Sequence, residues 1–406
     1  MLLLLALACA PNTADPRRYQ ATLAGHAVMP ALPLIDPPAD APVSLHSSGR
    51  WLADSGGTGE APAFDGQPLH GHSGITRAPD GTYWMLTDNG AGLRSNSADF
   101  MLYLTRYRVD FDSGSFVRLE TVFISDPSAE VPFRIVTAGT EPRYLTGADF
   151  DPESMQFARG SIWIAEEFGP YLIKLDRRGH VVAVHETWAG GKRVVSPDSP
   201  SARGAAGSLH VATSKGFEGL AVSPDESKLY AMLEGPLSER TTGPVESEDG
   251  RPYVRILEFD VQAESWTGRY WKYLLEHPRN AVGDFSLIDA TSALVIERDD
   301  YEGAQAAFKR VYKIRMDEDH AGLAVPKIGY VDLMSIADPG ALARKPLNNG
   351  SFAMPFATVE TVAQVDDLHI VVGNDNNLSR TRGRDPQLGD DSELALLEVG
   401  SLLNAG

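Results

Sequence analysis

The sequence predicts an all-β fold, a β-propeller of four-stranded antiparallel blades, with six blades favoured over five or seven. The first supporting observation is a recurring hairpin. "KGFEGLAVSPDESKLYAMLEGPL", from Lys215, reads as an alternating strand, a turn and a second strand, and weaker copies start at His72, Thr146, Gly283 and Phe356. The second is the strand-like sequence between copies, such as "FMLYLTRYRVDFDSGSFVRLETVFI" and "YLIKLDRRGHVVAVHET", which extends each hairpin into a four-stranded meander. The third is the near absence of helical periodicity, apart from a turn or two near Ser335 to Arg344. Repeats of this kind close into a ring, which leaves no long edge strand exposed.

Taken in order, residues 1–10, MLLLLALACA, form a short apolar run ending in small residues, the pattern of a secretion signal rather than a membrane span. Ala6-Leu7-Ala8-Cys9 resembles a bacterial lipobox, with Cys9 as the lipidated residue. The competing reading, cleavage after Ala10, places Pro11 next to the scissile bond. The expected location is therefore secreted, periplasmic or lipid-anchored on the cell envelope, with membrane contact only through that anchor. Residues 11–65 are rich in Pro and Gly and read as a tether with closing strands. Residues 66–406 are the propeller domain, closed by "SELALLEV" from Ser392 joined to N-terminal strands.

Cys9 is the only cysteine, so the chain has no intramolecular disulfide, zinc-thiolate site or cysteine nucleophile. The 43% hydrophobic content fills a sizeable core, and a formal net charge of -19 repels nucleic acid at long range. A monomer is favoured. "GHSGI" from Gly71 is not a nucleophile elbow, because Gly74 follows Ser73 directly, and no P-loop, dinucleotide fingerprint or H-E-x-x-H is present. His70 and His72 form an H-x-H pair, read as loop histidines in preference to metal ligands or a base.

Within a blade, the start of the first inner strand and the end of the second lie on one face of the disc. The hairpins then bring Ser73 with Asp88, Asp149 with Glu166 and Glu167, Glu218 with Glu234, Asp284 with Glu297, and Glu360 with Asp375 to one mouth of the channel. Converging carboxylates repel one another, and a divalent cation relieves that repulsion. Oxygen-only donors suit calcium or magnesium, which makes Asp88, Glu166, Glu167, Glu297 and Asp375 the candidate metal ligands. The bland reading is that strand-end acids are solvated turn residues. Arg94, Lys215 and Arg298 fall near the same mouth as candidate substrate-binding cations, and a metal beside Arg or Lys is the usual way to hold a phosphate ester. Glu218 and Glu234 are the candidate catalytic carboxylates.

"KGFEGLAVSPDESKLYAMLEGPL", "IWIAEEFGPYLIKLDRRG" and "VVGNDNN", in this order, resemble the phytase-like propeller family described as "esterase-like activity of phytase". The resemblance spans roughly residues 70 to 400. It implies a secreted bacterial propeller, related in architecture to calcium-dependent phytases, that hydrolyses phosphoric or other esters. Its motif residues fall on Asp88, Glu166, Glu167, Glu218, Glu234, Glu297 and Asp375. The chain lacks the dense Lys and Arg cluster that a hexaphosphate calls for.

Three readings stay open. The favoured one is a calcium-dependent phosphoric ester hydrolase acting on a small molecule, with Glu218 or Glu234 as general base. The second is a calcium-dependent lactonase or carboxylesterase, and the third a non-catalytic, calcium-stabilised surface binding propeller.

Overall fold

The computed structural model of the 406-residue chain describes residues 16–52, 63–201, 207–345 and 351–406. Cys9 and its lipobox lie outside the described residues.

Short-range chemistry builds the hairpins. In the one quoted first, Ser223 and Ser227 donate to the Asp225 carboxylate, and the Lys228 N–H donates to Ser223 Oγ at 2.9 Å. This side-chain-stabilised turn reverses the chain between Phe217–Val222 and Lys228–Leu233. Along the second of these strands Leu229 and Ala231 point into the core, as alternation requires.

Five sheets are each built on four antiparallel strands, and two of them carry a fifth: Arg17–Tyr19, parallel to Lys327–Asp332, and Ser247–Glu248, beside Arg251–Asp260. Their innermost strands are His72–Arg77, Pro152–Ala158, Phe217–Val222, Ala281–Leu287 and Val359–Gln364, and these define sheets 1 to 5. In sheets 1 to 4 all four strands follow in sequence. In sheet 5 the outer strand is instead N-terminal: Thr22–Met29 pairs antiparallel with Ser392–Glu398.

The core lies between sheets rather than in one central mass. Met155 and Ile164 pack with Leu86 and Leu104 between sheets 1 and 2. Trp163, Leu229 and Val295 belong to one cluster spanning sheets 2 to 4, and Ile296 with Val362 joins sheets 4 and 5. Val371 and Leu394 pack with Ile75 and Met85, so sheet 5 returns to sheet 1. Each sheet thus buries both faces, which explains why the strands read as strongly apolar.

Among the described residues five large sheets share this four-stranded antiparallel core, where the sequence favours six such units. The expected joining of "SELALLEV" to the N-terminal part of the chain is made by Thr22–Met29, the fourth strand of sheet 5, while Arg17–Tyr19 pairs parallel with Lys327–Asp332 at the edge of sheet 4. The helical turn expected near Ser335 to Arg344 is also not formed, and the only α-helix among the described residues is Gly400–Leu403. No helix of the described residues is long and apolar enough to cross a membrane.

Candidate functional site

In every sheet the innermost strand slips register by one residue against its neighbour, near its start. The pairing passes from His72 to Gly74, from Pro152 to Ser154, from Phe217 to Gly219, from Val282 to Asp284 and from Val359 to Thr361. The residues skipped are Ser73, Glu153, Glu218, Gly283 and Glu360. A bulge frees the skipped residue from the ladder and re-aims its side chain. The residues that leave the second strands opposite these bulges are Asp88, Glu167, Glu234, Arg298 and Asp375.

All of these except Gly283 line one cavity of about 190 Å³, joined by Asp151 and Lys215. The cavity gathers eight carboxylates, from Asp88, Asp151, Glu153, Glu167, Glu218, Glu234, Glu360 and Asp375, against two cations, Lys215 and Arg298. Three triads each bring ligand oxygens within 4.8 Å of one another: Asp151, Glu153 and Glu167; Glu153, Glu218 and Glu360; and Glu167, Glu218 and Glu234. The triads share members and form one continuous oxygen-lined surface. Ser73 Oγ and Arg298 Nε are buried at this cavity without a hydrogen-bond partner.

Burial sets the electrostatics. Glu218 is 4% exposed, and its carboxyl is held well above the usual range by burial and then by the neighbouring Glu234 and Glu360 charges. Burial and like charges also raise Asp151, Glu153, Glu167 and Asp375. Glu360 is pushed up to about 7 by burial, although Arg298 opposes the shift. Buried oxygen donors that resist ionisation together, with no nitrogen or sulfur ligand among them, fit a hard divalent cation.

The fourth sheet breaks the acidic pattern. Gly283 occupies the bulge and Arg298 the strand exit, so a guanidinium stands where the other sheets place a carboxylate. Arg298 Nη2 donates to Glu360 at 2.8 Å and lies 3.4 Å from Glu234, while Nη1 reaches Asp300 at 2.6 Å. Lys215 Nζ donates to the other Glu234 oxygen at 2.7 Å. Burial lowers the Arg298 pKa, but Glu360, Glu234 and Glu218 outweigh it and keep the group charged. An acid could not replace Gly283, because a Cβ there would stand 2.1 Å from the Val359 carbonyl oxygen. Gly283→Glu is therefore expected to cost at least about 3 kcal/mol in a denaturant melt.

Of the sequence-predicted residues, the structure brings together Glu218, Glu234, Lys215, Arg298, Asp88, Glu167 and Asp375. Three others need correction. The Glu166 carboxylate turns away from the cavity and accepts the N–H groups of Phe168, Gly169 and Tyr171, organising the turn after its strand. Glu297 is likewise spent elsewhere, accepting from Tyr273 Oη, the Glu276 N–H, Asn280 Nδ2 and Lys327 Nζ. Arg94 donates to the Ala148 and Asp198 carbonyls and lines a separate groove with Arg134 and Asp149. Asp149 and Asp284, matched to strand starts, serve the backbone instead: Asp149 accepts from the Thr146 and Val136 N–H groups, and Asp284 accepts from the Val362 N–H across to sheet 5.

Asp151 and Glu153 also face the cavity, and Glu360, expected at the mouth with Asp375, stands among the candidate ligands. The sequence signal for Glu153 and Glu360 lies in the triplets H-S-G, P-E-S, F-E-G, V-G-D and V-E-T, whose middle residue is the bulge in each copy. His70 Nδ1 lies 3.2 Å from an Asp88 oxygen, whereas His72 faces Tyr107 Oη and is lowered to about 3 by burial, which keeps it neutral.

Fold and site together define an all-β protein of mutually packed antiparallel sheets that gathers acidic side chains into one oxygen-lined mouth. A family model described as phytase-like, "Esterase-like activity of phytase", matches residues 67–378, and the chain belongs to this family of ester-hydrolase type. No curated protein matches the chain. Among solved structures, the chain is similar to a periplasmic gluconolactonase of Pseudomonas aeruginosa, at 18% identity over 84% of this chain and 87% of that one, with a TM-score of 0.33. It is also similar to the hydrazine synthase of Kuenenia stuttgartiensis, at 12% identity over 76% and 78% of the two chains, with a TM-score of 0.35.

Proposed function

We propose that the five sheets are the blades of a closed five-bladed propeller, and that its acidic mouth is the site of a divalent-cation-dependent hydrolase of phosphoric esters, secreted or lipid-anchored. The observation that carries this reading is the set of three overlapping carboxylate triads beside Lys215 and Arg298.

Asp151, Glu153, Glu167 and Glu360 would hold the cation, with calcium favoured over magnesium because the donors are many and irregularly placed. When bound, the cation supplies Lewis-acid polarisation and lowers the pKa of a nearby water. With a cation offsetting the like charges that keep its carboxyl protonated, Glu218 would ionise and serve as the general base, taking the proton of the attacking water. Among the described residues its carboxylate has neither an ion pair nor a hydrogen bond, so it is free to accept one. Glu234 is committed to two cations and acts as their anchor. Arg298 and Lys215, so oriented, donate to the non-bridging oxygens of the ester and stabilise the charge that develops there.

One observation favours a second reading, hydrolysis of a carboxyl ester or lactone. Two cations at the mouth are few for a phosphate-rich substrate and sufficient for a carbonyl. Calcium titration of chelator-treated protein, followed on matched phosphate and carboxyl esters, separates the readings. Restored phosphate release is the expected result. Restored carboxyl ester cleavage alone moves the assignment to the second reading. A rise in melting temperature without turnover on either substrate makes the protein a calcium-stabilised binding propeller.

A further inference from the structure

A second concave surface lies at the outer strands of sheets 2 and 3 and shares no residue with the acidic mouth. It is a groove of about 490 Å³ whose lining includes Trp188, Trp266, Phe259, His185, Glu186 and Glu264. Trp188 is 46% exposed, an unusual position for the largest apolar side chain. Trp266 is fixed: its Nε1 donates to the Glu186 carbonyl at 2.8 Å, and its ring stands edge-on to Phe259 at 5.1 Å. His185 packs on the same Phe259 at 5.1 Å.

The charges of the groove are balanced. Glu264 is paired with Lys174 at 2.5 Å and Glu186 with Arg193 at 2.9 Å. Burial lowers the His185 pKa, so the imidazole adds no charge. A phosphate-bearing ligand would meet both carboxylates, and an organic cation would have to compete with Lys174 and Arg193 for them. A ligand with apolar C–H faces and neutral hydroxyl groups meets neither obstacle. It can lay a ring on the indoles while its hydroxyls donate to carboxylate oxygens held in place by their ion pairs.

We propose that this groove binds a neutral saccharide, with Trp188 as the stacking platform. The site is independent of the chemistry at the mouth, so the test needs no turnover.

The full chain is screened against an array of neutral saccharides, and soluble hexasaccharides of the β-glucan, xylan and chitin types are then titrated by calorimetry and tryptophan fluorescence. Saccharide binding that Trp188→Ala weakens by about tenfold, and Trp188→Phe weakens less, is the expected result. The melting temperature of both variants should match the parent, since the side chain is half exposed. Absence of binding across the array overturns the proposal. So does binding that Trp188→Ala leaves untouched, or capture of tetramethylammonium in place of any saccharide.

Discussion

Glu218→Gln is expected to lower turnover by about 10²- to 10⁴-fold while raising, not lowering, the melting temperature of the metal-free protein. The two effects share one cause. Glu218 belongs to two of the three carboxylate triads and is buried beside Glu234 and Glu360. The amide keeps the shape, removes an acid that ionises only against its acidic neighbours, and cannot take a proton from water. A structural acid would give the opposite stability result, because its loss would leave partners unsatisfied. Thermal melts with chelator and with calcium check this: the variant should gain less from calcium than the parent does.

The same cluster gives the metal-free protein a defined pH dependence. Glu360 is shifted from the ordinary 4.5 to about 7, so its folded form binds a proton more tightly than the unfolded chain does. That contribution to stability is full below about pH 4.5 and is lost as pH rises through 7. The melting temperature of chelated protein should therefore fall between pH 5 and pH 8. Calcium should narrow the fall, because binding replaces the protons that the carboxylates otherwise retain.

Arg298→Ala should be the single change at the mouth that costs most stability. The guanidinium is 5% exposed and is held between Glu360 and Glu234. Removing one partner of a buried ion pair leaves uncompensated charge, which costs about 3–5 kcal/mol. Loss of the same donors should lower turnover by about 10²- to 10³-fold. Denaturant melts with and without calcium distinguish the two roles. Calcium should recover part of the stability by neutralising Glu234 and Glu360, but it cannot supply the missing donors, so turnover stays low. Arg298→Lys should fall between, since an ammonium reaches one carboxylate as a point charge and cannot span both.

Much of the site was legible in the chain because a hairpin is a local object. The F-E-G-L-A strand, the S-P-D-E-S turn and the L-E-G-P exit announce themselves within 23 residues, and Glu218 and Glu234 meet at one cavity for that reason. Lys215 and Arg298 were legible by the same local argument. Glu166 and Glu297 were misplaced because position near a strand end does not give direction. Glu166 and Glu167 are adjacent, yet only Glu167 faces the cavity, since successive side chains on a strand point to opposite sides. At the fourth hairpin the equivalent of Glu234 is Arg298, one residue beyond Glu297, and the pairing across the bulge makes that one-residue difference decisive.

By itself, then, the sequence determined the all-β class, the repeated hairpin, the acids at hairpin ends and the family, all of which rest on short-range patterns. The joining of "SELALLEV" to N-terminal strands was also legible, but tertiary structure decided which strand makes it, Thr22–Met29, and how many sheets result. It also decided which carboxylates share a cavity, bringing in Asp151 and Glu153 beside the expected Glu360 and turning Glu166 and Glu297 away. Side-chain direction depends on a one-residue bulge, and packing between sheets joins residues hundreds of positions apart. Neither is encoded in the local periodicity that makes a strand recognisable.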